Sequence, residues 1–206
     1  MIARILTTVV LFVSAVFSDV SMCGTGFENQ SPYNSICQIR VGGGQGSGTL
    51  IAIKDGKALI LTCRHVAQDV DAAAKLEWLG AGGQVTTGNV LAIVNGSEFN
   101  SDLALIVCDA PDGLQPVRVA KFDPTNGPWH GVGWRGGQMY ETFTNEATDV
   151  DGAINFNSTL IGGQSGGALL DRNGCLVGVT VASDFKTMGI ASDGRYLSQL
   201  LKAHTH

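Results

Sequence analysis

The sequence predicts an all-β barrel or sandwich, and three observations carry that reading. Short aliphatic and β-branched runs recur with turn residues between them, and helical periodicity is confined to two short stretches. Glycine accounts for 28 of 206 residues, about twice the ordinary ~7%. Proline is scarce, at 5, and glycine has no Gly-X-Y period, which excludes a collagen. A hydrophobic content of 44% supports a packed core and excludes intrinsic disorder. Charged residues are only 15%, the net charge is −5, and there is no Lys/Arg run. That leaves no electrostatic footprint for a nucleic acid partner.

The elements follow in chain order. Residues 1–18, MIARILTTVVLFVSAVFS, carry one charge, Arg4, ahead of an apolar run from Ile5 to Phe17. The run is shorter than the ~20 residues that span a bilayer. Val16 and Ser18 sit three and one before a cut, so the segment reads as an export signal removed after Ser18, with an uncleaved anchor as the alternative. The expected location is secreted or periplasmic. Residues 19–36 form a lead segment. Export places Cys23, Cys37, Cys63, Cys108 and Cys175 in an oxidising compartment, and their odd number leaves at least one without a partner in the chain. None has zinc-site spacing, and Cys63, in ALILTC, reads as a small buried hydrophobe.

Strands are expected at CQIRV, SGTLIAI and ALILTC, the last two joined by the hairpin signal Asp55-Gly56. A short helical turn over Val66–Lys75 precedes QVTTGNVLAIV and LALIVC. The loop-like DAPDG, residues 109–113, divides the chain into units at 37–112 and 113–206. The second unit carries QPVRVA, HGVGW, then GGALLD and CLVGVTVA around Asn173-Gly174. A closing helix is expected near Arg195–Ala203, capped by Ser192 or Asp193, with Tyr196, Leu197, Leu200 and Leu201 on one face.

Three motifs carry chemistry. GGQSGG, Gly162–Gly167, matches Gly-x-Ser-x-Gly. A serine hydroxyl is a weak nucleophile that needs an adjacent base, and a tetrahedral intermediate needs backbone N–H donors, which Gly163 and Ser165 could supply. Flanking glycines let the chain bend and approach a substrate closely. The candidate base is His65, where an apolar strand ends. His130 reads as a surface or satisfied core residue, and His204 and His206 lie in a terminal tail. The candidate orienting acid is Asp102, a lone carboxylate opening an apolar strand. Its rivals Asp69, Asp71 and Asp109 read as loop residues. The order His65, Asp102, Ser165 argues against an α/β-hydrolase, whose order is serine, acid, histidine, and fits the order found on β-barrels.

GSGTLI, LTCRHV, SDLALI and GGQSGGALLDRNGCLVGVTVAS, in that order, resemble the blocks of the trypsin-like (chymotrypsin-fold) serine peptidases, nearest to the bacterial Do-like branch. The resemblance covers about Cys37 to Lys202. It implies two antiparallel six-stranded Greek-key barrels with a short C-terminal helix, His65 and Asp102 on the first barrel and Ser165 on the second. It implies an endopeptidase acting on polypeptides through a His65–Asp102–Ser165 triad and an acyl-enzyme, with Gly163 and Ser165 as oxyanion donors and neither metal nor organic cofactor. A silent binding module or an esterase on the same fold are the alternatives. By position, Thr159 would lie at the base of the specificity pocket and Thr180, Val181 and Ala182 along its wall. Thr159 is not an acid, so a preference for Arg or Lys is unsupported. Gln164 stands where the digestive enzymes carry the acid that pairs with a newly cut terminus, so activation of that kind is not expected. No peptide-binding module is expected after the closing helix.

Overall fold

The computed structural model describes residues 32–94, 101–183 and 189–193. The expected signal, nearly all of the lead segment and the expected C-terminal helix lie outside the described residues. Six strands build the first unit: β1 (Ile36–Val41), β2 (Gly44–Lys54), β3 (Lys57–Thr62), β4 (Ala73–Trp78), β5 (Gln84–Ile93) and β6 (Ala104–Asp109). They close into an antiparallel barrel in the order β1-β2-β3-β6-β5-β4, and β4 returns to β1 with Ile39 opposite Leu76. Register shifts at Leu50/Ala52 in β2 and Val90/Ala92 in β5 bend the strands around the barrel. The β2–β3 turn uses Asp55 (φ 48°) and Gly56 (φ 74°), as the Asp-Gly signal predicts.

The second unit has seven strands: β7 (Trp129–Arg135), β8 (Gln138–Thr144), β9 (Ala147–Val150), β10 (Ala153–Phe156), β11 (Ala168–Leu170), β12 (Leu176–Ser183) and β13 (Gly189–Asp193). Their order is β8-β7-β11-β12-β13-β10-β9. The two outermost strands, β8 and β9, are separated in the chain only by Asn145 and Glu146. The sheet therefore curls until its edges meet, and β8 and β9 are two halves of one chain pass bent at a corner. The Thr144 hydroxyl makes that corner, accepting the Glu146 N–H and donating to the Glu146 carbonyl. Six chain passes thus give seven strands, and the fold is the predicted chymotrypsin-like pair of β units.

Two expectations are corrected. Within the expected helical turn, α-helix is confined to α1 (Arg64–Ala67), because Ala73–Lys75 already belong to β4, where Ala74, Leu76 and Trp78 alternate into the core. QPVRVA forms no strand; it crosses between the units, with Val117 N–H bonded to the Leu50 carbonyl and Val119 bridging Leu176. The expected Asn173-Gly174 turn joins the antiparallel β11 and β12, and Asp171 organises it, its carboxylate accepting the N–H groups of Asn173 and Cys175.

The largest apolar cluster fills the first barrel with Leu50, Ile60, Leu61, Leu76 and Leu105 and continues across the seam to Val132, Trp134, Leu170 and Val179. A smaller cluster of Trp129, Ile154, Phe156, Leu169 and Val177 lies within the second unit. Each such fully buried side chain stabilises the fold by roughly 1.5–3 kcal/mol. At the seam, the Trp134 indole N–H donates to the Ile36 carbonyl at 2.8 Å.

Candidate active site

His65 is the second residue of α1, a single helical turn that begins where β3 ends. Cys63 enters the turn in extended backbone, and Val66 and Ala67 bury themselves behind it. The His65 side chain is left 49% exposed, open enough to meet a ligand. Asp102 lies two residues before β6 and is 7% exposed. Because β6 pairs with β3, ending at Ala104 opposite Thr62, the acid lies beside the histidine turn.

The two residues are joined twice. The Asp102 Oδ2 lies 2.5 Å from His65 Nδ1, and Oδ1 accepts the His65 backbone N–H at 3.0 Å. Burial pushes the Asp102 carboxyl up, but the His65 hydrogen bonds, the His65 charge and nearby Arg64 outweigh it and hold the group below its ordinary value of 3.8. A carboxylate only accepts, so Nδ1 carries the proton that faces it and Nε2 is left for the other side of the ring.

Ser165 lies in the loop between β10 and β11. Its hydroxyl donates to the Val181 carbonyl at 2.9 Å, and no hydrogen bond joins it to His65 among the described residues. The loop is nonetheless set against the histidine turn. A Cβ on Gly46 would lie 2.5 Å from a methyl of Val66 and 2.7 Å from the Ser165 carbonyl oxygen, so one bare residue separates the two segments. The Cys63 thiol, on the other flank of His65, donates to the Thr180 carbonyl at 3.2 Å, and Gly166 N–H donates to the same oxygen at 2.7 Å.

The loop needs its glycines. Gly163 has φ 102° and Gly166 φ 86°, and a Cβ on Gly166 would fall 2.0 Å from the Ser47 carbonyl oxygen. The N–H groups of Gly163 and Ser165 have no hydrogen-bond partner among the described residues. Gln164 is fully buried and braces the loop: its side-chain oxygen accepts the Ile161 N–H at 2.8 Å and its NH2 group donates to the Tyr140 carbonyl.

The residues expected along the pocket wall divide. Thr180 is fully buried and its hydroxyl donates to the Gln164 carbonyl at 2.6 Å, so it braces the loop instead of lining a pocket. Val181 buries its side chain in the main cluster and offers its carbonyl to Ser165. Thr159 is half-buried, and Ala182 lies on β12 opposite Ile190. His130 sits apart, stacked on Phe143 and 3.1 Å from Glu141. Cys63, His65 and Asp102 bring one metal-ligand atom each within 4.8 Å of one another. Burial holds the Cys63 thiol protonated, well above its ordinary pKa, and both Asp102 oxygens are taken by His65. The trio is therefore poorly suited to a cation. Cys37 and Cys108 are also free and buried, whereas Cys175 is disulfide-bonded.

A family model for the trypsin-like peptidase domain matches residues 46–179, more than half of the chain. The chain belongs to the trypsin-like peptidase domain family. No curated protein matches it in sequence. Among solved structures it is similar to an inactive form of the protease Rv3671c from M. tuberculosis, carrying a serine-to-alanine mutation, at 18% identity and TM-score 0.64 over 89% of this chain and 96% of that one. A human pathogenic astrovirus serine protease is similar at 16% identity and TM-score 0.59 over 82% and 95%. The MamO protease domain from Magnetospirillum magneticum is similar at 16% and 0.60 over 84% and 98%. At these identities the likeness is one of fold. This trypsin-like chain and those proteases share an overall fold.

Proposed function

We propose that this trypsin-like peptidase is an exported serine endopeptidase in which His65, Asp102 and Ser165 act together. The observation that carries the reading is the doubly hydrogen-bonded His65–Asp102 pair beside a loop that presents Ser165 and two N–H groups without partners among the described residues. When a polypeptide occupies the cleft, the Ser165 hydroxyl leaves the Val181 carbonyl and turns toward His65 Nε2. Its oxygen attacks the scissile carbonyl carbon as its proton passes to Nε2. Asp102 holds the ring in the productive tautomer and stabilises the imidazolium. The oxyanion accepts the N–H groups of Gly163 and Ser165. Collapse breaks the C–N bond, His65 gives its proton to the leaving amine, and water then hydrolyses the acyl-enzyme through the same groups.

A peptide library tests the reading and its specificity together. The expected result is internal cleavage that disappears in Ser165→Ala, with matched esters also cleaved. Ester cleavage without peptide cleavage would make the protein an esterase, and tight partner binding without any hydrolysis would make it a binding module. For export, sequencing the secreted or periplasmic protein should find a terminus just after Ser18; a terminus at Met1 would leave the segment as an anchor.

A further inference from the structure

We infer that Ser47, a residue of β2 in the first barrel, is a positioning residue that holds the oxyanion loop of the second unit in shape. The inference rests on the reading of Gly163 and Ser165 as oxyanion donors. Ser47 is fully buried, and its hydroxyl and its backbone N–H both bond across the seam, the hydroxyl also lying 3.4 Å from the Trp134 carbonyl. Its hydroxyl accepts the Trp134 N–H at 2.7 Å and donates to the Gly163 carbonyl at 2.8 Å. Its backbone N–H donates to the Ser165 carbonyl at 2.7 Å, and its own carbonyl accepts the Thr62 hydroxyl at 2.7 Å.

The pattern matters because peptide units are planar and trans, so a carbonyl turned one way turns the next N–H the opposite way. Three successive carbonyls of the loop are tied inward. Ser47 holds those of Gly163 and Ser165, and between them the Gln164 carbonyl accepts the Thr180 hydroxyl and the Gly167 N–H. With the Gln164 carbonyl fixed inward, the Ser165 N–H is presented on the opposite side of its peptide. Ser47 clamps the peptides that flank this one, and with Gly163 at φ 102° an untethered loop would have other conformations within reach. Only a small side chain that both donates and accepts can serve. Alanine would leave the Trp134 N–H and the Gly163 carbonyl without their partner, and threonine would add a methyl where there is no exposed surface.

The test pairs loop motion with kinetics in the full chain. Amide exchange across 162–167, read by NMR, should quicken in Ser47→Ala. The turnover number on a cleaved peptide and the rate of reaction with a fluorophosphonate should fall about 10- to 100-fold, with KM within about threefold, because the loss concerns transition-state donors and not substrate binding. Thr49→Val is the control. Thr49 lies two residues on in the same strand, equally buried, and its hydroxyl has no partner, so exchange and turnover should match the parent. If Ser47→Ala does not fold, Thr62→Val, which frees only the Ser47 carbonyl, should shift both readouts the same way by about threefold to tenfold. Parent-like exchange in Ser47→Ala, a loosened loop with parental turnover, or an equal loss in Thr49→Val would each overturn the inference. A parent chain inert to both peptide and fluorophosphonate would overturn the peptidase reading instead, while the exchange measurement would still decide whether Ser47 holds the loop.

Discussion

The first barrel closes on itself, strand to strand, around a deep aliphatic core, and the His65–Asp102 pair rides on its β3 and β6 ends. The second unit meets edge to edge only through the Thr144–Glu146 corner, and its own core is small. Several of its inward residues, Val132, Trp134, Leu170 and Val179, pack toward the first barrel instead. The loop bearing Ser165 follows the same rule. Its carbonyls at Gly163 and Ser165 end on Ser47 of the first barrel, and a Cβ on Gly166 would strike that same residue. The difference teaches where rigidity comes from. His65 and Asp102 are held by the barrel they belong to, whereas the Ser165 loop, braced in its own unit by Gln164 and Thr180, is also held from across the seam by Ser47.

The comparison can be broken or sharpened at several points. The largest effect is expected for Asp102→Asn, which replaces one of the two oxygens that accept from His65 with a donating NH2 group and so disturbs the His65 tautomer; turnover should drop on the order of 10⁴-fold with KM little changed. A loss below tenfold would mean that the first-barrel pair does not serve the chemistry. Next come matched core truncations. Leu50→Ala in the first barrel should cost toward the upper end of the ~2–5 kcal/mol range and Leu169→Ala in the smaller cluster toward the lower end, read from denaturant midpoints. Equal costs would contradict the asymmetry.

A smaller effect concerns acid. The folded-state pKa of Asp102 lies below its ordinary 3.8, so between those values the unfolded chain binds more protons. The stability this carboxylate contributes is full above about pH 4 and is lost as pH falls through its folded value. Urea midpoints measured from pH 5 to 2.5 should fall less steeply in Asp102→Asn than in the parent; parallel curves would remove Asp102 from the account. The smallest effect is expected at Lys57–Asp109, an exposed pair joining β3 and β6, where Lys57→Ala should change stability by about 0–1 kcal/mol.

The legible parts of the molecule were local. Asp55-Gly56 states its own turn, the apolar runs of β3 and β6 state their burial, and the lone acid at the head of an apolar run pointed to Asp102, which the structure joins to His65. The β8, β9 and β10 strands were not legible, because β8 and most of β9 face solvent and their polar residues interrupt any alternation. Alanines hid β4 as a helical turn, although Ala74, Leu76 and Trp78 keep strand spacing. Ser47 was unreadable for another reason. It opens the expected strand SGTLIAI, but its partners at Trp134, Gly163 and Ser165 are distant in the chain. Thr180 was assigned to a pocket wall, and only its burial and its bond to Gln164 reveal a bracing residue.

The central claim is that Ser165 is a nucleophile activated by His65 across the seam. Mass spectrometry of the protein after exposure to a fluorophosphonate tests it most directly. The account predicts one adduct, on Ser165, absent in Ser165→Ala and formed far more slowly in His65→Ala. Labelling that persists in Ser165→Ala, or a His65→Ala variant that reacts as fast as the parent, would contradict it.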